Sequence, residues 1–165
     1  MGGAAPAADQ DQRQAERLHP RTAALIAYFD SSAFVKLFVD EPGSAHAAAT
    51  WDAADRRLST RILYAEARAA LAAATRARRI EPTGLVDVRA QLEFFWARLD
   101  PVEPRAHIVA HAGDLAEAHA LRAYDAIHLA SAEAVANEET WFVAADDRLL
   151  AAAQAQGLTT VTLAE

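Results

Sequence analysis

Cysteine is absent from the 165 residues, lysine occurs once, as Lys36, and no apolar run approaches the roughly 20 residues that span a bilayer as a helix. Without cysteine there are no disulfides, no thiolate zinc site and no thiol nucleophile, a composition that suits a reducing compartment. A cytoplasmic protein is expected. The first residues, MGGAAPAADQDQRQAERLHP, lack a basic region followed by an apolar one, and Pro6 stands where myristoylation wants a hydroxyl residue. Neither a secretory leader nor a lipid anchor is expected. GxGxxG and GxxxxGK[ST] are also missing, which leaves dinucleotide and P-loop chemistry without a foothold. A formal net charge of -7 argues against nucleic-acid binding through one broad basic field, though a local groove stays open. The cations are almost wholly arginine, whose fork suits phosphate, but high-GC codon usage accounts for the bias more simply.

The length fits one compact domain. Residues 1–22 are rich in Ala, Gln, Asp and Arg with little apolar periodicity, so a flexible N-terminal extension is expected there, followed by a domain over 23–165. Alanine makes up about a quarter of the chain and favours helix, so strands must be sought as short interruptions. Candidates are Leu25 to Phe29, Arg57 to Ser59, the neighbourhood of Val102, Trp141 to Val143, and Thr159 to Leu163. Pro42, Gly43, Pro82, Pro101, Pro104 and Gly157 fall at the joins. Helices between strands predict an α/β fold with a mainly parallel central sheet covered on both faces.

Four acids stand where neutral residues would be more stable: Asp30 in YFDSSAFVKLF, Glu66 in LYAEARAAL, Asp125 in RAYDAIHLASA and Asp146 in FVAADDRLL. Asp30 follows the first strand and Asp146 follows Trp141 to Val143, so both are expected at the carboxyl edge of the sheet, where ligands bind in such folds. Helical spacing puts Glu66 on a face with Ile62, Leu63, Ala69, Ala70 and Ala73, and Asp125 on one with Leu121, Leu129, Ala132 and Ala136. Together they predict one oxygen-lined site for Mg²⁺ or Mn²⁺. Taken singly, Asp30, Asp125 and Asp146 are each explained as helix N-caps, and Glu66 as the partner of a buried arginine.

Rival constellations are weaker. His107 and His111 share an i, i+4 spacing that suits zinc, but no glutamate follows His107 and no third ligand is placed; His128 is expected to pack or to support the site. A phosphatase with an aspartyl nucleophile wants a second aspartate at position 32, which is Ser32, and a lysine downstream, whereas Lys36 comes too early.

On DSSAFVKLFVDEPGS (30–44), YAEARAAL, LRAYDAIHLASA (121–132) and FVAADDRLLAAA (142–153), the chain resembles the PIN-domain ribonucleases, and among them the VapC-type toxins of bacterial toxin–antitoxin pairs. The resemblance covers about Leu25 to Leu163 and matches all four acidic motifs in order and spacing. It implies a three-layer α/β/α domain in which Asp30, Glu66, Asp125 and Asp146 are the acidic quartet and Ser32 the polar residue beside the first aspartate. One departure is Ala144, where the family commonly has Ser or Thr; a hydroxyl contact is missing there, and Asp147 competes for the role of Asp146.

Oxygen ligands of this kind hold a cation that polarises a phosphate and makes a water more acidic, so that no protein nucleophile is needed. Asp30 and Asp125 are expected to touch the metal, with Glu66 and Asp146 completing the shell or orienting water. The resemblance further implies a homodimer, cleavage of structured RNA such as tRNA or rRNA, and a small antitoxin partner. Arg56, Arg57, Arg61 and Arg122 are candidates for phosphate contact. Two alternatives stand beside this reading: a catalytically silent PIN scaffold that binds RNA or protein, and a structure-selective DNA nuclease, for whose helical arch 165 residues leave no room.

Overall fold

In the computed structural model, which describes residues 24–163, five short strands alternate with seven helices. The first strand, β1 (Ile26–Phe29), is an uninterrupted apolar run with every residue buried, as a strand covered on both faces requires. It lies at the centre of a sheet ordered β3-β2-β1-β4-β5, with β2 at Arg56–Thr60, β3 at Asp100–Val102, β4 at Thr140–Ala144 and β5 at Thr159–Thr162. All four pairings are parallel, and the register sets Ile26 beside Arg56 on one side and beside Thr140 on the other.

Parallel pairing demands long crossovers, and the helices supply them. Alternation along β1 divides the core in two. Ala27 and Phe29 face a cluster with Phe34, Trp51, Leu63, Leu71 and Leu92, contributed by α1 (Ser31–Val35), α2 (Ser44–Ala53), α3 (Leu63–Arg76) and α4 (Leu85–Trp96). Ile26 and Tyr28 face another with Leu115, Leu129, Phe142 and Leu149, formed with α5 (Ala106–His119), α6 (Ala123–Glu133) and α7 (Asp147–Ala155). The domain is therefore a three-layer α/β/α sandwich. The few aromatics fill both layers: Tyr28 stacks on Phe142 with ring centroids 5.7 Å apart, and Phe29 meets Trp51 edge-on at 5.3 Å.

Gly43 enters α2 at φ +88°, and a Cβ there would run into the Leu163 carbonyl, so the position tolerates only glycine. The expected extension over 1–22 lies outside the described residues. Among the described residues no helix is long and apolar enough to cross a membrane.

Strand order reverses at β1, which pairs with β2 on one side and β4 on the other. The carboxyl ends of β1 and β4 thus border the crevice that such a reversal opens.

Candidate metal centre

The chain leaves β1 at Asp30 and turns directly into α1; it leaves β4 at Ala144 and turns into α7 after Asp146. Both aspartates are N-caps: Asp30 Oδ1 accepts the Ala33 N–H at 2.9 Å, and Asp146 Oδ1 accepts the Leu149 N–H at 3.0 Å. Capping and a site role are therefore compatible, because one carboxylate oxygen satisfies the helix and the other is left over. Asp30 Oδ2 makes no described hydrogen bond. Asp146 Oδ2 instead accepts from Arg122 Nη2 at 3.3 Å.

Ser32 ties the two turns together. Its Oγ donates to Asp30 Oδ1 at 2.8 Å and accepts the Ala145 N–H at 2.8 Å, which joins the end of β1 to the end of β4. Ala144 is fully buried and brings no hydroxyl, yet Asp146 is oriented by its cap and its loop by Ser32. Asp147, the first residue of α7, is exposed and takes no part in these bonds.

Asp125 is not a cap. It is the third residue of α6, whose N-cap is Arg122, and its carboxylate is gripped by that arginine: Nε donates at 2.7 Å and Nη2 at 3.4 Å. Glu66 sits in the first turn of α3, at the border of a buried stripe formed by Leu63, Ala67, Leu71 and Ala74. The expected apolar face is shifted by about a position, since Ala69 is exposed. The partner of Glu66 is not a buried arginine but His128, whose ring is 1% exposed and whose Nε2 lies 2.7 Å from Glu66 Oε2. Ser31 Oγ approaches Glu66 Oε1 at 3.5 Å. His128 thereby bridges α6 and α3 across the carboxyl edge of the sheet.

Asp30 is 2% exposed and has no cation within ion-pair distance among the described residues. Burial pushes its carboxyl above the ordinary value of 3.8, against the lowering effects of His128 and of hydrogen bonds from Ala33 and Ser32. Deeper still, the Tyr28 hydroxyl faces Ser131 and Thr60 without completing a hydrogen bond of normal geometry, and burial holds it neutral. Arg122 responds in the opposite sense: its hydrogen bond and charge pairing with Asp125 strengthen its hold on the proton, with Asp146 and Asp30 adding to it.

The four candidate arginines separate. Arg56 and Arg57 open β2 and so lie at the amino edge of the sheet, opposite the acids; Arg56 pairs with Asp100 at 3.0 Å, and Arg57 caps the Trp51 ring and donates to the Trp51 carbonyl. Arg61 follows β2 but is engaged by Glu103. Of these four only Arg122 stands among the acids; Arg148, which also lines the crevice, donates to the Ala120 carbonyl instead. Of the histidines, His107 is exposed and His111 pairs with Glu133 at 2.7 Å, so they build no zinc site. Tyr124, 60% exposed beside Asp125, is an aromatic that sequence reasoning passed over.

Among the described residues no three Asp, Glu or His side chains yet close to ligand spacing around one point. The donor set nevertheless fits a hard divalent cation. It is carboxylate oxygen throughout, it includes a buried carboxylate with no ion-pair partner among the described residues, and a guanidinium already takes a cation's place between Asp125 and Asp146. Asp30, Asp125 and Asp146 would hold the ion, with Glu66 at the border.

The crevice at the carboxyl end of the sheet is lined by Arg122, Asp125, Asp146, Asp147 and Arg148, with Asp30 buried behind it and tied to its Ala145 wall through Ser32. The PIN domain family matches residues 27–155. Two proteins of Mycobacterium tuberculosis, ribonuclease VapC45 of strain CDC 1551 and ribonuclease VapC49 of strain H37Rv, are each 49% identical over 132 residues, 80% of this chain and 92% of theirs. The chain belongs to the PIN-domain family and, within it, to the VapC type. Solved structures agree in fold: PAE2754 from Pyrobaculum aerophilum has a TM-score of 0.60 at 21% identity, over 84% of this chain and 92% of its own. VapBC2 from Rickettsia felis, solved with a DNA fragment from its promoter, has a TM-score of 0.58 at 14% identity, over 84% and 98%.

Proposed function

We propose that the protein is a Mg²⁺- or Mn²⁺-dependent endoribonuclease and the toxin of a toxin–antitoxin pair, resident in the cytoplasm as a homodimer. The observation that carries this reading is the paired N-caps: Asp30 and Asp146 stand at adjacent strand ends and each gives one oxygen to its helix, which leaves Asp30 Oδ2 without a described partner and Asp146 Oδ2 held only by Arg122. The names of the two mycobacterial relatives, both ribonucleases, supply the reaction class.

When bound, a divalent cation supplies positive charge beside the scissile phosphate and a more acidic water. The protein's own part is placement. Ser32 fixes Asp30 against the β4–α7 turn, His128 fixes Glu66, and the α7 cap fixes Asp146, so the carboxylates do not have to be ordered during the reaction. A chain of net charge -7 meets RNA through local contacts, and Arg122 is the candidate cation at the crevice. Structured RNA such as tRNA or rRNA is the proposed substrate, cut to leave a 5′-phosphate and a 3′-hydroxyl. A small antitoxin is the proposed partner, neutralising the acids with a basic side chain of its own.

Purified protein incubated with folded tRNA and rRNA in Mn²⁺ tests the reading. Cleavage should stop in EDTA, and Asp30→Asn and Asp125→Asn should each lose about 100-fold or more. Undiminished cleavage in excess chelator overturns the metal role; absence of cleavage under every metal condition favours the silent scaffold. Co-expression with a small neighbouring gene should relieve growth arrest and give a stable complex.

A further inference from the structure

Arg122 is held in place by its backbone and exposed in its side chain. It is the N-cap of α6 with extended backbone angles, and its side chain is 74% exposed, yet it curls back onto two carboxylates from different elements. One nitrogen, Nη2, lies 3.4 Å from Asp125 and 3.3 Å from Asp146. No other cation pairs with either acid among the described residues. A long exposed side chain gains little from an ordinary surface pair, so this geometry reports two carboxylates that share a need for positive charge.

We propose that Arg122 is a tethered counter-cation of the acidic crevice, displaced by the divalent ion and then free to bind a phosphate of the RNA strand, so that metal loading and substrate binding are coupled through one side chain. The inference rests on the reading of the crevice given above and adds a residue that works in both states. Its chemistry suits both partners: the same fork that accepts a carboxylate edge accepts two phosphate oxygens. Its exposure suits exchange, because exposed pairs are weak enough to be broken by an ion that binds the same oxygens directly. An exposed pair shifts an equilibrium by about 1.5- to 5-fold, so the two together reduce metal affinity by about 2- to 30-fold.

Mn²⁺ binding without RNA, measured from the electron paramagnetic resonance of free Mn²⁺, should be about 3- to 10-fold tighter in Arg122→Ala and Arg122→Gln than in wild type. Binding of a fluorescent RNA stem-loop, followed by anisotropy in Ca²⁺ and in EDTA, should strengthen with metal in wild type and lose most of that gain in both variants. Arg122→Lys, which keeps the charge but not the fork, should fall between. Equal or weaker Mn²⁺ binding by the variants overturns the counter-cation role, and an unchanged metal-induced gain in RNA affinity overturns the coupling. If wild type itself binds no Mn²⁺, or Asp125→Asn binds it as well as wild type does, the acidic-crevice reading fails and takes this inference with it.

Discussion

Replacing Asp30 by Asn should have opposite effects with and without metal. Asp30 is almost wholly buried, has no ion-pair partner among the described residues and has a carboxyl raised above 3.8 by burial. Asparagine keeps the Oδ1 that accepts from Ala33 and Ser32 and remains a good N-cap, so the exchange removes charge without removing the cap. The relief of desolvation, less the charge-assisted part of those two hydrogen bonds, should stabilise the metal-free protein by on the order of 1 kcal/mol. For a chain of this size that is about 3 °C in Tm. In Mn²⁺ at about 100 times its Kd, wild type gains about 2.7 kcal/mol, or roughly 8 °C, and the variant loses most of that gain. Calorimetric melts at neutral pH should therefore show the variant above wild type in EDTA and about 5 °C below it in Mn²⁺. The pH dependence has a definite sign. Because the folded state holds the Asp30 proton more tightly than the unfolded chain, wild type has that contribution in full below 3.8 and loses it as pH rises through the folded pKa. The advantage of Asn in EDTA should thus shrink to nothing in acid. Equal metal responses in the two proteins, or a variant less stable in EDTA, would refute the argument.

Ser32→Ala removes the link between the β1 and β4 turns and should cost about 1–2 kcal/mol, read in denaturant melts, together with a drop in cleavage larger than the drop in stability explains. Ala144→Ser should change cleavage by less than about threefold, since Ser32 already holds the neighbouring amide; a larger gain would show that the missing hydroxyl limits the site. Gly43→Ala, far from the acids in role, should destabilise by more than about 1 kcal/mol through its left-handed backbone and the Leu163 carbonyl, while leaving Mn²⁺ affinity of the folded protein unchanged.

Much of this is legible in the sequence alone, for particular reasons. All five strands are legible to within two residues because runs such as Leu25 to Phe29 interrupt an alanine-rich background, and Asp30 and Asp146 can be set at one edge because the first directly follows a strand and the second comes within two alanines of one. The face of Glu66 was harder. In an alanine-rich helix small residues occupy every side, so Ala69 looked as apolar as Ala67, and only packing distinguishes them. Arg56 and Arg57 were candidates because composition gives no edge; the parallel register puts the start of β2 at the end of the sheet away from the acids. The pairings of Glu66 with His128 and of Arg122 with Asp146 span 62 and 24 residues, and nothing local announces either.

The central place of β1 also bears on synthesis. Asp30 is made early, but its crevice is closed by β4 and α7, more than a hundred residues later in the chain. A growing chain that has released only β1 to β3 has neither the β4 neighbour for Asp30 nor the aspartate that caps α7. On the function proposed above, a ribosome translating this message therefore meets no complete acidic site until nearly the whole domain has emerged, and the proposed antitoxin has the interval between the first acid and the last in which to be waiting.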